Sequence, residues 1–238
     1  MTALHDLDAF LASASVDPAV HDLRPDYRAL LLVVDGITRA PQDDRAEKLL
    51  TAAEESARDA LAETELVDIP HIAAWREAYR AFGAKPQRTR NSLEALMRRA
   101  GDGMPRVNPL TDIYNAISVT HQVPLGGEDI DHYVGSPHLV RATGDEDFAT
   151  MAAGEEAIEH PDQGEVVWRD DEGVTCRRWN WRQCRRTALS DDTSAMVFFF
   201  DALEPMSDDA LQAAADELLA NLTDLGDDVR WAQRLIRA

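Results

Sequence analysis

Residues 112–148, DIYNAISVTHQVPLGGEDIDHYVGSPHLVRATGDEDF, pass from a helical hydrophobic repeat through a glycine pair into extended sequence. Just before them, Asn108 can cap a helix and Pro109 takes the first helical position, where its missing N–H costs nothing. Leu110, Ile113, Tyr114 and Ile117 recur at i, i+3, i+4 and i+7, which predicts a core-facing stripe on a helix over 109–122. Thr111, Asn115, Ser118 and Gln122 form a neighbouring polar stripe. Small polar groups in that position either line a pocket or face solvent and bond to local backbone, and spacing leaves both open. Past the helix, Pro124, Gly126 and Gly127 mark either a tight turn or a stretch whose backbone N–H groups approach a ligand.

Working outward, the pattern alternates strands and helices. YRALLLVVDGI, 27–37, reads as a buried strand ended by Gly36, and AMVFFF begins a second over 195–203. Further strands are expected at 137–142, 164–169, 173–179 and 183–187. Helices are expected within the first twenty residues, over 42–63 with acids in its first turn, from Pro70 to Phe82 with Gly83 as its stop, and over 91–101. Asn91 or Ser92 would cap the last of these. The chain should close with a helix over 207–224 and another after 227. The organisation expected is an N-terminal strand and helices (1–82) packed on a core (83–205), with a C-terminal helical segment (206–238).

Charge is uneven. The chain carries a formal net charge of −20, yet residues 83–110 are net +4 and CRRWNWRQCRRT, 176–187, has five arginines and no acid. If the second segment were one extended strand, Arg177, Trp179, Trp181, Gln183 and Arg185 would share a face. Guanidinium forks grip phosphate and indoles stack on bases. Equally, the arginines can pair with the chain's own surplus carboxylates, with the tryptophans as core. The first island includes Lys85, Arg88 and Arg90 ahead of a helix start that can meet an anion. The acidic remainder argues against broad nucleic-acid binding, so no DNA partner is expected. The start, MTALHDLDAF, lacks the basic flank and apolar run of a signal peptide, and no run approaches a membrane span. Cys176 and Cys184 have no His or Cys at metal-ligand spacing, so neither metal nor disulfide framework is expected, and the cytoplasm is the default location.

In its central stretch the chain resembles the B3/B4 domain, the editing module of the bacterial phenylalanyl-tRNA synthetase beta subunit, which also occurs as small freestanding proteins. The likeness rests on Asp112, Ile113 and Asn115, then Pro124 and Asp129, then Gly135, Arg141 and the Gly144–Glu146 turn. It implies a three-layer α+β fold with a central, mostly antiparallel sheet, flanking helices and a pocket for the aminoacylated 3′ end of tRNA. No cofactor is implied. Asn115 matches the Asn of the synthetase helix motif, whereas Gly126 stands where that family's pocket His falls. Gln183 or Arg185 lies near the place of its tyrosine-recognising acid.

These readings together predict a substrate site of Asn115, Ser118, Gly126, Gly127, Glu128, Trp179, Trp181, Arg182 and Arg185, with phosphate contacts from Lys85, Arg88 and Arg90. The function expected is hydrolysis of a mischarged aminoacyl ester, or binding of a tRNA end or small ligand without catalysis. No catalytic constellation stands out; Glu128, Asp129 or His132 are the groups near enough in sequence to orient water, and the terminal ribose hydroxyl would do so with no side-chain base.

Overall fold

The computed structural model describes residues 5–38, 43–152 and 154–238. Residues 1–4 of the first expected helix and Gln42 of the second lie outside the described residues. The chain runs α1 (Leu7–Ser13), β1 (Ser15–Val16), α2 (Pro18–His21), β2 (Arg28–Asp35), α3 (Arg45–Glu63), α4 (Pro70–Ala81), α5 (Ser92–Arg99) and α6 (Pro109–Thr120). Eight strands follow: β3 (Leu125–Asp129), β4 (His138–Arg141), β5 (Phe148–Ala152), β6 (Glu155–Glu159), β7 (Val166–Arg169), β8 (Val174–Arg177), β9 (Arg182–Gln183) and β10 (Ala195–Ala202). Last come α7 (Asp208–Ala220) and β11 (Arg230–Arg237).

Two continuous apolar runs, β2 and β10, pair antiparallel over their full length and form the centre of a four-stranded sheet ordered β11-β2-β10-β3. Each is covered on both faces, which is why neither shows a polar alternation. Leu30, Leu32, Val34, Met196, Phe198 and Phe200 meet α6 and α7 on one face. Leu31, Val33, Val197 and Phe199 on the other meet Leu139, Val166, Trp168 and Trp179 of a second sheet, ordered β1-β4-β7-β8-β9. The architecture is thus α+β in three layers, helices on sheet on sheet, with α3 and α5 packed outside α6 through Leu50, Ala53, Leu93, Met97, Ala116 and Val119.

The caps behave as the side-chain chemistry predicts. Asn91 and Asn108 each accept a backbone N–H three residues on, from Glu94 and Thr111. Gly36, at φ +93°, ends β2 where a Cβ would sit 2.8 Å from the Asp228 carbonyl oxygen. His71 bridges elements: its Nδ1–H donates to the Gln122 carbonyl at 2.8 Å and its Nε2 accepts the Leu203 N–H at 3.1 Å. Burial lowers its pKa to about 4, so the ring stays neutral.

Two expectations are corrected, and two open readings are narrowed. The helix expected after 227 is β11, which pairs antiparallel along the whole of β2. Its side chains alternate poorly because long arginine stems, at Arg230 and Arg234, lie along the sheet and bond back to α1 and Asp35. The strand expected at 183–187 reduces to Arg182–Gln183. The glycine pair, for which spacing leaves both a tight turn and a ligand-facing stretch open, lies inside β3, and the β5–β6 hairpin falls outside the expected strands. Finally, the polar stripe of α6 does not face solvent: every residue from Leu110 to Val119 is buried.

Candidate functional site

The arginine-rich segment is a hairpin rather than one extended strand. Arg178 and Trp179 take positive φ, 48° and 68°, and turn the chain between β8 and β9, so the predicted alternation of faces does not arise. The Trp179 N–H donates to the Val166 carbonyl at 2.6 Å and fixes the turn on β7. Its indole packs edge-on against Trp75 and Tyr27 in the core.

All five arginines meet the protein's own carboxylates. Arg177 grips both oxygens of buried Glu165, at 2.9 and 2.8 Å, and reaches Glu159 at 2.9 Å. Arg178 shares Glu165, Arg182 pairs with Glu159, and Arg186 forks onto Asp170 at 2.8 Å on each oxygen. Arg185 lies over β5–β6 beside Met151 and Glu156. Trp181 carries the guanidinium carbons of Arg178 and Arg182 at 4.5 and 4.8 Å from its ring centroid, so its plates are occupied internally.

The same turn nevertheless closes a cavity of about 100 Å³ between α6, the edge strand β3, β8–β9 and the end of β10. Of the residues predicted from sequence, Asn115, Gly126, Glu128, Trp179, Trp181 and Arg182 line it. Burial separates a floor from a mouth. Glu128 and Trp179 at 0%, Trp168 at 1% and Asp201 at 2% exposure form the floor. Trp181, Arg182 and Gln183 are half-buried and form the mouth, and Asn115, buried at 9% exposure, falls between the two groups. Gly126 leaves the space that the Gln183 amide fills, since a Cβ there would stand 3.0 Å from Gln183 Nε2.

Other predicted residues lie elsewhere. The Ser118 hydroxyl donates to the Val123 carbonyl at 2.6 Å and ties off the end of α6. Gly127 turns the other way, against Phe198 and Leu189, and only its carbonyl points toward the site, accepting from Gln183 Nε2 at 2.9 Å. Arg185 is outside the cavity. Lys85 and Arg88 border a separate groove of about 380 Å³ with Thr89, Asp162, Glu165 and Arg178, and neither makes an ion pair among the described residues. Arg90 is not part of that groove's lining and leans on Glu94 at 3.6 Å. His132 is exposed near Asp129, whose carboxylate is taken by Thr193 and the Asp131 N–H.

The cavity's electrostatics come from two buried acids. Glu128 Oε2 accepts from the hydroxyls of Tyr133 and Thr187, the latter at 3.1 Å, while Oε1 has no hydrogen-bond partner. Burial pushes its pKa up to about 7, against the partial relief given by the hydroxyls of Tyr133, Thr175 and Thr187. Asp201 accepts from Tyr27 at 2.5 Å and from the Asn180 amide at 3.2 Å, and burial pushes it up to about 7 as well. Burial also drives the Cys176 thiol well above its usual range, so this cavity cysteine is no thiolate. Ser92 Oγ, Trp168 Nε1, Trp179 Nε1 and Arg182 Nε join Glu128 Oε1 as buried polar atoms without partners, all on the lining of this one cavity. Convergence of unsatisfied groups on an apolar-walled cavity is the signature of a ligand seat.

Sequence reasoning missed Asp201, Trp168, Asn180 and Ser92. Asp201 was legible in part: it falls at period two from Val197 and Phe199 in a strand otherwise free of charge. The other three come together only through sheet pairing and the Ser92 N–H to Asn180 carbonyl bond, 2.9 Å, which joins α5 to the hairpin.

An α+β domain with a cavity between a sheet edge and a buried helix is what these observations define. The model of the B3/4 domain matches residues 74–226, and the chain belongs to that family. Among solved structures it is similar to an N-terminal fragment of the phenylalanyl-tRNA synthetase beta-subunit from Pyrococcus horikoshii, with 15% identity and a TM-score of 0.45. That match covers 92% of this chain and 50% of the fragment, so the chain spans about half the fragment's length. Among curated proteins no match is found. No helix among the described residues is long and apolar enough to cross a membrane.

Proposed function

We propose that this chain is a freestanding B3/4-type protein of the cytoplasm that receives the aminoacylated 3′ end of a tRNA and hydrolyses the ester of a mischarged, small amino acid. The observation that carries this reading is the set of five unpartnered polar atoms on one cavity: groups desolvated at a cost of about 1–3 kcal/mol each are retained where a ligand satisfies them. Size follows from volume. A cavity of about 150 Å³ admits benzene, so 100 Å³ matches roughly four non-hydrogen atoms, a small side chain rather than an aromatic one.

In this reading the amino acid enters the floor and the ester stays at the mouth between the amides of Asn115 and Gln183. Amides orient a carbonyl or a water but take no proton. The terminal ribose hydroxyl therefore places the attacking water: its oxygen bonds to the acyl carbon, the ester C–O bond breaks, and the proton passes to the leaving ribose oxygen. Lys85 and Arg88, in the neighbouring groove, meet a phosphate of the CCA backbone. Arg178 borders that groove while Trp179 borders the cavity, so one hairpin tip separates the acyl and phosphate positions.

Incubation of the purified protein with a panel of mischarged tRNAs tests this. Ester loss above the spontaneous rate is expected for small residues, and Asn115→Ala should lower it with the fold intact. Equal activity of that variant at equal folded concentration removes Asn115 from the site. Ester loss at the spontaneous rate across the whole panel leaves the chain a binding module without catalysis.

A further inference from the structure

The floor of the cavity has a chemical character of its own. Its acid, Glu128, is completely buried, and one carboxyl oxygen is held by Tyr133 and Thr187 while the other is unpartnered. The same cavity is lined by Trp168, Trp179 and Phe199, with Asp201 toward its far end. Glu128 pairs across the sheet with Val197, and Asp201 lies four residues further along β10 on the same face, roughly 13 Å away at about 3.3 Å per residue. The one guanidinium on the lining, Arg182, is drawn to Glu159 and lies over Trp181 and Phe148. A buried carboxyl in a cavity also lined by indoles, with the one guanidinium of the lining paired to Glu159, is matched by a compact positive group: the rings favour a cation through their quadrupole, and the open oxygen accepts its N–H.

We propose that the cavity floor is the seat of a small primary ammonium group, with Glu128 as its counter-ion and the indoles of Trp168 and Trp179 as its walls. This rests on the reading of the cavity as the seat of the acyl moiety and names what that moiety presents: an unblocked amine on a stem of two or three carbons. Acylation of the amine removes the charge and adds bulk that a cavity of 100 Å³ does not hold. The site therefore separates aminoacyl esters from their N-blocked counterparts.

The charge state of Glu128 makes the site pH-dependent. The titratable or charged groups facing it are Tyr133, Tyr114 on α6, Cys176 and Cys184 on the hairpin strands, and Asp170 with its partner Arg186 beyond β7. Glu128 ionises near pH 7, and the tyrosines and cysteines are shifted upward by burial, away from that range. Ethylammonium, with a pKa near that of Lys at about 10.4, stays charged throughout, whereas an α-amino group, at about 7.7–8.0, begins to lose its proton at the upper end of the range. The competent, ionised fraction of Glu128 rises about tenfold between pH 6 and pH 8, and apparent affinity follows it.

The test needs neither ester nor tRNA. Ethylamine and ethanol, equal in heavy-atom count, are titrated into the full chain with tryptophan fluorescence and calorimetry as readouts. Ethylamine should bind at least tenfold more tightly than ethanol at pH 8, and this preference should fall about tenfold at pH 6. Glu128→Gln should bring the two ligands within about twofold of each other at both pH values. Equal affinities, a preference indifferent to pH, or an amine preference kept in Glu128→Gln would each overturn the proposal; should that variant fail to fold, the wild-type pH series decides alone. Glycine methyl ester and the methyl ester of Nα-acetyl-2,3-diaminopropionate then separate an α-amine from a side-chain amine as the source of the ammonium. A chain that prefers ethylamine but leaves every tRNA ester intact keeps this inference and loses the hydrolytic reading. One that hydrolyses esters without any amine preference does the reverse.

Discussion

Arg177→Ala tests whether the arginine cluster is architecture. The guanidinium is 7% exposed and its main partner, Glu165, 2% exposed. Truncation leaves Glu165 buried with the Arg178 N–H at 3.2 Å, the Arg178 Nε at 3.3 Å and the long Asp162 N–H contact at 3.4 Å, and leaves Glu159 to Arg182 alone. Breaking a buried pair by removing one member costs about 3–5 kcal/mol, because the remaining charge keeps its desolvation penalty and loses its compensation. For a chain of this size each kcal/mol lowers Tm by roughly 2–4 °C, so the variant should melt roughly 6–20 °C below wild type. Replacing both partners, Arg177→Met with Glu165→Leu, should restore most of that loss, since apolar replacement of a buried pair is often neutral. Thermal melts and urea titrations of the two single variants and the double variant close the cycle. A loss under about 1 kcal/mol for Arg177→Ala, or a double variant no more stable than the worse single, would refute the structural reading and return Arg177 to solvent or ligand.

Three further outcomes are expected. Gly127→Ala should cost about 1–3 kcal/mol, as its Cβ would stand 2.8 Å from Phe198 Cε1 and 3.0 Å from Leu189 Cδ1; Gly126→Ala meets only the movable Gln183 amide and should leave stability within about 0.5 kcal/mol while weakening ligand binding. Calorimetric melts and a binding isotherm on each variant distinguish the two. Glu128 has a folded pKa of about 7, above its unfolded value, so its contribution to stability is fully present below the unfolded pKa of about 4.3 and is lost as pH rises through 7. Glu128→Gln should therefore gain on wild type by about 3 kcal/mol between pH 4.5 and pH 8 in parallel urea titrations; a constant difference would count against a buried, shifted acid. Lys85→Ala with Arg88→Ala should weaken a charged CCA-end mimic far more than a neutral aminoacyl ester. For two phosphate contacts, log affinity of wild type should fall against log salt with a slope of about −1.4, and a flat salt series removes the groove from the tRNA path.

The parts of the fold legible in sequence were those encoded locally. Asn108, Pro109 and the Leu110–Ile117 stripe fix α6, Gly36 ends β2, and the apolar runs of β2 and β10 need no partner to be recognised. β11 was read as helix because its pairing with β2, not its own pattern, makes it extended. The same holds at the site. Asn115, Glu128 and Trp179 could be named because they sit in short motifs, but the role of the arginines depends on Glu159, Glu165 and Asp170, which sequence places among many surplus acids. The sharp turn at Arg178–Trp179, which cancels the alternation expected of an extended strand, carries no glycine to announce it.

The order β11-β2-β10-β3 has a consequence for how the molecule comes to exist. β2 is made well before its two neighbours, residues 195–202 and 230–237. Its sheet is closed only by contacts far apart along the chain, the topology that makes folding slow. A ribosome that has released residue 205 has exposed Leu30 to Val34 with one edge still open, and the run remains a sticky template until β11 emerges. Closure of this sheet accordingly waits for β11, and a nascent chain arrested between β10 and β11 should be bound by chaperones where one extended well past β11 is not.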